Sequence, residues 1–175
     1  LIPPFTVGLG EVTEAALVGN KSRNLMLAGQ AMATVVPAGF TITSTVGELL
    51  IAHNGVRPAI DRLLASIDPQ ALPDLEAVSQ ALTTLILRME VPEAVTQAIL
   101  DGYDSLTARH RKEARLVAVR SSGAFEDGLH SFAGQYHSIL GVGRDGLVTA
   151  YLEVLASKYS PEALQYRIRA GLSDE

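Results

Sequence analysis

The chain has 175 residues, a net charge of −5 and no cysteine. This length suits one domain with a real core, and the acidic balance argues against a general nucleic-acid or membrane-surface binder. The lack of cysteine excludes disulfides, thiolate metal sites and a cysteine nucleophile.

Targeting signals are not evident in the sequence. No apolar run reaches the ~18 residues of a membrane-spanning helix. Leu1 to Gly10 lack the basic start and long apolar stretch of a signal peptide. Because the chain begins without Met and stops just after a helix-like stretch, we expect a piece of a longer cytoplasmic protein.

The N-terminal part predicts short strands and helices. Phe5 to Leu9 predicts a short strand and a turn, and the β-branched and aromatic Phe40 to Thr43 predicts another strand. Apolar residues at helical spacing predict a helix that begins near Gly19 and runs to Met32. Ser44 is the predicted N-cap of the next helix, which ends at His53.

Three further helices are predicted in succession, over Arg57 to Ser66, Leu75 to Met89 and Pro92 to Arg109. Because several helices lie between strands, we do not expect a simple βαβ repeat. The predicted class is α+β, with a small mixed or antiparallel sheet and several packed helices.

The C-terminal part predicts two strands and two helices around a loop rich in Gly and Ser. The loop covers Ser121 to Gln135. The strands are predicted at Leu116 to Val119, as a buried strand, and at Tyr136 to Val142. The helices are predicted at Gly146 to Ala156 and at Pro161 to Ala170, the latter capped by Ser160.

The first candidate site is the turn Val18-Gly19-Asn20-Lys21-Ser22. Backbone N–H groups at a helix start attract phosphate oxygens, and the Lys21 ammonium adds a positive charge. The turn is not a P-loop, which has the form G-x-x-x-x-G-K-[ST]. On these residues alone, an ordinary exposed Lys in a first helical turn is the competing interpretation.

The second candidate site is the strand end Val119-Arg120-Ser121-Ser122. The planar fork of Arg120 suits phosphate, Ser121 and Ser122 can donate hydrogen bonds, and Gly123 permits close approach of the backbone. A structural ion pair of Arg120 with the acidic residues downstream explains the arginine equally well.

The segment that follows carries carboxylates and a possible mobile loop. Glu126 and Asp127 suit a cation or an ion pair with Arg120, although adjacent carboxylates are also common in solvated turns. Ser131 to Gln135 suits a loop that closes over phosphates with Gly134 as its hinge. Alternatively, Phe132 simply anchors this loop in the core. The histidines show no zinc-type spacing, so we predict no metal ligands.

Five blocks of residues, taken together, resemble one known family. Two of them look like the family's patterns V-P-x-G-F-x-I-T and V-R-S-S followed by E-D and S-F-A-G-Q. The blocks are Gly19 to Leu25, Val36 to Thr43, Val119 to Gln135, Ala156 to Tyr159 and Ala163 to Arg167. The chain thereby resembles the ATP-binding domain of the phosphoenolpyruvate synthase, pyruvate phosphate dikinase and rifampicin phosphotransferase family.

The resemblance implies that residues 1–175 form the first lobe of an ATP-grasp-like domain. It implies that Lys21 and Arg120 contact the nucleotide phosphates and act as catalytic cations. The expected ATP-binding residues are completed by Ser121, Ser122, Ser131, Gly134 and Gln135. Positioning and charge neutralisation are most of what phosphoryl transfer needs from a protein.

The resemblance also implies what lies outside the chain. The second lobe, with the adenine pocket and the Mg²⁺ ligands, and the phosphohistidine domain are expected beyond Glu175. The expected partners are ATP and these remaining domains, with neither nucleic acid nor membrane. The chain alone is expected to be inactive.

Two alternatives to a dikinase-type enzyme remain open at this point. One is a non-catalytic regulatory or interaction domain, which the departures at Asn20 and Phe125 from the family pattern would suit. The other is a drug-modifying phosphotransferase of the rifampicin type, because acceptor specificity resides in another domain.

Overall fold

A computed structural model describes residues 4–10, 14–31, 36–67, 72–108, 115–122 and 138–170. Within these ranges the chain forms seven α-helices and four short strands. The helices are α1 Ala15–Ala31, α2 Ser44–His53, α3 Arg57–Ala65, α4 Leu72–Leu87, α5 Glu93–Thr107, α6 Leu147–Ala156 and α7 Pro161–Ala170. None of them is both long and apolar enough to cross a membrane.

The strands form two separate antiparallel sheets of two strands each. Strand β1 (Thr6–Gly8) pairs with β2 (Phe40–Ile42), and strand β3 (Val117–Arg120) pairs with β4 (Ser138–Val142). The helix-rich composition with small antiparallel sheets confirms the predicted α+β class.

The main core lies among α2 to α7. The α4 side chains Leu82 and Ile86 are fully buried, together with Leu50 of α2 and Ile60 of α3. The sequence places Leu75, Val78, Leu82, Leu85 and Ile86 at helical spacing on one face of α4, and α4 packs against α6, α7 and α3. The burial of one apolar stripe per helix stabilises this part of the molecule.

A second, smaller cluster lies under β1 and α1. It contains Val7, Val18 and Met26, with Leu9 and Leu17 packed against it. Helix α1 contacts α2 and β2, whereas β3 contacts β4 and α6. The two candidate turns of the sequence therefore belong to parts of the fold that pack on different neighbours.

The predicted helices are confirmed with small shifts at their ends. Helix α1 begins before the predicted start, but its backbone is non-helical at Gly19, so the segment after Gly19 matches the predicted helix. Ser160 caps α7 as predicted, since its Oγ accepts a hydrogen bond from the Ala163 N–H at 3.1 Å.

The prediction of Ser44 as an N-cap is wrong. Thr43 holds the N-cap position of α2, and no side chain caps the helix there. The Ser44 hydroxyl donates to the Ala16 carbonyl at 2.8 Å, and the Thr43 hydroxyl donates to the Pro4 carbonyl at 2.9 Å. Both hydroxyls bind neighbouring segments because the chain brings carbonyl oxygens within their reach.

The strand predicted over Leu116 to Val119 is present, shifted by one residue, but its predicted burial is wrong. The strand runs from Val117 to Arg120, and its residues alternate between half-buried and exposed. Leu116 itself is 67% exposed. A two-stranded sheet that packs on α6 with one face leaves its other face uncovered, so alternation replaces complete burial.

Candidate functional site

The break in α1 is at Gly19, whose backbone angles are φ 77° and ψ 160°. Residues with a side chain rarely adopt this positive-φ conformation, whereas glycine adopts it without steric cost. Close packing also requires glycine at this position, because a Cβ built on Gly19 would lie 1.7 Å from the Ser122 carbonyl oxygen. The glycine therefore allows the end of β3 to contact the start of the second segment of α1.

The Ser122 hydroxyl, just after β3, binds residues on both sides of the break in α1 through two hydrogen bonds. Its Oγ donates to the Val18 carbonyl at 2.8 Å and accepts from the Ser22 N–H at 2.9 Å. The first N–H groups of a helix have no partner within the helix. Ser122 thus performs for the second segment of α1 the role that an N-cap residue usually performs, from 100 residues away.

Lys21 extends from the same helical turn to the end of β3. Its Nζ donates to the Ser121 carbonyl at 3.2 Å, and the side chain is half-buried. We call the set Val18, Gly19, Lys21, Ser22, Ser121 and Ser122 the α1–β3 junction. The junction brings the two candidate turns of the sequence into direct contact.

Arg120 directly precedes Ser121 of this junction in the chain. It is the last residue of β3, it pairs in register with Ser138, and its side chain is exposed. Because the Arg120 side chain is exposed, its charge is solvated and carries no cost of burial. Burial therefore does not require Arg120 to form an ion pair. Two cationic side chains therefore come from chain positions within two residues of Ser22 and Ser122.

The remaining predicted residues cannot be placed. Ser131, Gly134 and Gln135 lie outside the described residues, as do Glu126 and Asp127, the proposed partners of Arg120. Among the described residues, the structure brings together Lys21, Ser121 and Ser122, with Arg120 next to them along the chain.

Sequence reasoning missed the roles of Val18, Gly19 and Ser22 in this junction. Gly19 was noted as part of a turn, but its contact with Ser122 has no local signal. Serine is a common capping residue, yet a capping pattern is sought a few positions before a helix. A serine 100 residues downstream does not enter such a pattern.

A separate cleft of about 530 Å³ lies between the β1–β2 sheet, α1 and α5. Its walls are largely apolar and glycine-rich and include Met26, Phe40 and Gly102. Neither Lys21, Arg120 nor Ser121 lines this cleft. The cations of the candidate site therefore do not line this cleft.

The described residues do not fit a metal site by themselves. Within the described ranges, no group of three or more His, Asp or Glu side chains lies close enough to hold a metal ion. What the junction and the adjacent Arg120 offer is positive charge: the Lys21 ammonium, the Arg120 guanidinium and the start of a helical segment. Such an arrangement suits a phosphate-bearing ligand.

Comparisons with known proteins agree with this chemistry. The chain is 31% identical over 172 residues to phosphoenolpyruvate synthase of Neisseria meningitidis, covering 94% of the chain and 21% of that protein. It is 33% identical over 179 residues to a probable phosphoenolpyruvate synthase of Staphylothermus marinus, covering 98% and 21%. A rifampicin phosphotransferase of Bacillus cereus is 29% identical over 163 residues, covering 92% and 18%.

The chain spans about a fifth of the length of these relatives. A family model described as the AMP/ATP-binding domain of pyruvate phosphate dikinase matches residues 15–175. This match contains the α1–β3 junction and all the predicted site residues. The chain therefore belongs to the pyruvate phosphate dikinase AMP/ATP-binding domain family.

Proposed function

We propose that this chain is the first lobe of an ATP-grasp-like domain and that it holds the phosphates of ATP in a dikinase-type phosphotransferase. The observation that carries the proposal is the contact of Lys21 with the end of β3, beside Arg120. Lys21 of one family motif thereby contacts Ser121 of the other, and Arg120 directly precedes Ser121 in the chain.

In this proposal Lys21 and Arg120 bind phosphate oxygens and offset the negative charge that is redistributed during transfer. The guanidinium suits two oxygens at once, while the ammonium acts as a point charge. Ser121, Ser131, Gly134 and Gln135 are proposed as further ATP contacts. Ser122 was predicted as another contact, but the structure gives its hydroxyl two partners within the protein.

The complete parent protein is proposed to pass a phosphoryl group from ATP to a carrier histidine and then to an acceptor such as pyruvate. The carrier, the acceptor site and the second lobe would lie outside residues 1–175, as the share of the relatives' length suggests. The ligands of Mg²⁺ are proposed to lie in that second lobe as well. A cytoplasmic location of the parent remains a prediction.

The test is a titration with Mg-ATP. Amide NMR shifts are recorded for this chain, and affinity is measured for the full-length parent. Shifts are expected at Lys21 and at Arg120 to Gly123. Loss of one charge-assisted contact weakens binding by about tenfold or more, so Lys21→Ala and Arg120→Ala should each show this loss.

Matched controls separate a specific site from a general effect of charge. Lys158→Ala and Arg62→Ala remove one cation each, on 3-10 turn Ser157–Tyr159 and on α3, away from the junction. Both should leave the affinity within about twofold, because the main contacts of the Ser157–Tyr159 turn and of α3 are with α4, α6 and α7 and not with α1 or β3. A full-length parent that gives no response at millimolar Mg-ATP would overturn the proposed function.

A further inference from the structure

We infer that Ser122 is a positioning residue, whose hydroxyl fixes the spacing of Lys21 and Arg120 through the start of the second α1 segment and does not bind phosphate itself. This inference rests on the proposed function, because the spacing matters only where both cations bind one ligand. It assigns Ser122 a different role from Lys21 and Arg120, although all three belong to the same two motifs.

The hydrogen-bond capacity of Ser122 supports this assignment. A serine hydroxyl has a single donor hydrogen, and that of Ser122 is directed to the Val18 carbonyl at 2.8 Å. Phosphate oxygens accept hydrogen bonds, so they need donors. One oxygen lone pair of Ser122 already accepts from the Ser22 N–H, and this bond also occupies the Ser22 N–H.

The contact depends on Gly19 as well as on Ser122. A Cβ at Gly19 would approach the Ser122 carbonyl oxygen to 1.7 Å, its carbonyl carbon to 2.4 Å and its Oγ to 2.6 Å. Any side chain at position 19 would displace the Ser122 backbone or the hydroxyl. Gly19 and Ser122 thus depend on each other, because only the absence of a side chain at Gly19 lets Ser122 approach closely enough to cap the helical segment.

Helix α1 and strand β3 pack against different elements, so the contact between Gly19 and Ser122 helps to hold them together. Helix α1 contacts α2 and β2, while β3 contacts β4 and α6. The two cations therefore belong to elements with different direct neighbours, although those neighbours share the main core, and the hydrogen bonds of Ser122 join the two elements within two residues of each cation. A binding site tolerates only small displacements of its groups, so loosening this contact should weaken binding.

Ser122→Ala tests the inference, with Ser160→Ala as a matched control. Ser160 caps α7 by the same type of Oγ to N–H hydrogen bond, at 3.1 Å. Loss of a cap destabilises a helix start to a similar extent in both variants. Only Ser122→Ala is expected to speed hydrogen exchange of the Ser22 amide and to weaken Mg-ATP binding by the full-length parent, each by about fivefold to tenfold. Ser122→Thr keeps a hydroxyl and should restore most of both.

A double variant distinguishes positioning from direct contact. If Ser122 acts through Lys21, then Lys21→Ala combined with Ser122→Ala should bind Mg-ATP only slightly more weakly than Lys21→Ala alone. Gly19→Ala provides a second way to open the contact and should speed exchange of the Ser22 amide as well.

Several results would overturn the inference. These are fully additive losses in the double variant, unchanged Ser22 exchange in Ser122→Ala, or equal losses of Mg-ATP affinity in Ser122→Ala and Ser160→Ala. An absent Mg-ATP response in the unsubstituted parent would overturn the proposed function and the positioning role with it. The coupling of α1 to β3 would then be decided separately, by Ser22 exchange in this chain.

Discussion

The helical body formed by α2 to α7 differs from the α1–β3 junction in what holds it together. Large apolar side chains such as Leu82 and Ile86 are fully buried in the helical body. The smaller cluster beside the junction has Val7, Val18 and Met26 as its buried members among the described residues. There, a glycine and a few hydrogen bonds from Ser122 and Lys21 fix the geometry.

This difference separates stability from function within one chain. Apolar burial is non-directional and is shared by many side chains, so no single pair of atoms sets its geometry. A hydrogen-bonded junction depends on particular atoms, so a single substitution changes its geometry. We therefore expect substitutions in the helical body to lower stability, and substitutions at the junction to alter ligand binding at smaller cost in stability.

The largest expected effect compares one substitution in the two regions. Val46→Ala in α2 removes a side chain that is 0% exposed in the main core, and Val7→Ala removes one that is 6% exposed in the small cluster. We expect losses of about 2–3 kcal/mol for Val46→Ala and about 1 kcal/mol for Val7→Ala, because fewer neighbours pack around Val7. Urea unfolding measures both values.

Hydrogen exchange sharpens this comparison. Val7→Ala should speed exchange mainly in α1 and β1, since regions with little buried apolar surface open locally before the whole protein unfolds. Val46→Ala should speed exchange throughout the helical body. Equal free-energy losses with the same exchange pattern would show that the two regions unfold as one unit and contradict the proposed division.

An intermediate effect is expected where hydrogen bonds support the helical body itself. Asn54, at the end of α2, donates to the Glu90 carbonyl at 2.9 Å and accepts from the Glu90 N–H at 2.8 Å. It also donates to the Leu50 carbonyl at 2.9 Å. Asn54→Ala removes all three bonds and should cost about 1–2 kcal/mol, since each net bond contributes modestly.

The Asn54 variant also tests whether a change in the helical body affects ligand binding at the junction. Thermal unfolding measures its loss of stability, and Mg-ATP affinity of the full-length parent should change by less than about twofold, because the Asn54 contacts lie among α2, α4 and α5. Exposed Gln80→Ala on α4 is the control, with an expected change within about 0.5 kcal/mol. A marked loss of affinity without loss of stability would show that the body and the junction are coupled.

The smallest effect at neutral pH is expected for Tyr151 on α6. Burial raises the pKa of the Tyr151 phenol above its ordinary value, because the charged phenolate is disfavoured there. The unfolded chain ionises near pH 10, so the stability that Tyr151 contributes is present below about pH 10 and is lost as the pH rises further. Tyr151→Phe should remove this part of the alkaline loss.

Alkaline unfolding curves of the wild type and of Tyr151→Phe measure this prediction. Tyr103→Phe serves as a control for the loss of a tyrosine hydroxyl, since Tyr103 donates its hydroxyl hydrogen to the Arg115 carbonyl. At pH 7, Tyr151→Phe should change stability by less than about 1 kcal/mol. Identical slopes above pH 10 in the wild type and Tyr151→Phe would contradict the assignment to Tyr151.

Much of the fold was predictable because it follows local patterns. The apolar spacing of α4 indicated which of its faces is buried: Leu75, Val78, Leu82 and Ile86 are buried, and Leu85 is half-buried. Ser160 was identified as a cap because the cap lies directly before its helix. Ser44 failed as a cap for a tertiary reason, since the Ala16 carbonyl lies within reach of its hydroxyl.

The site was predictable only at the level of its residues. The motifs identified Lys21 and Arg120 as the relevant cations, and the family match supports the motifs. The sequence did not indicate that Arg120 is exposed, because a β-strand pattern does not show whether a sheet is covered on both faces. It also did not distinguish a serine that donates to a ligand from one that donates to a backbone carbonyl.

The sequence by itself determined the element types, the apolar faces and the family, because helical periodicity, turn residues and motif spacing are local properties of the chain. Only the tertiary structure decided that Gly19 contacts Ser122 and that Lys21 reaches the end of β3. These contacts join segments about a hundred residues apart. Their geometry is set by how α1 and β3 pack on different neighbours, which no local pattern records.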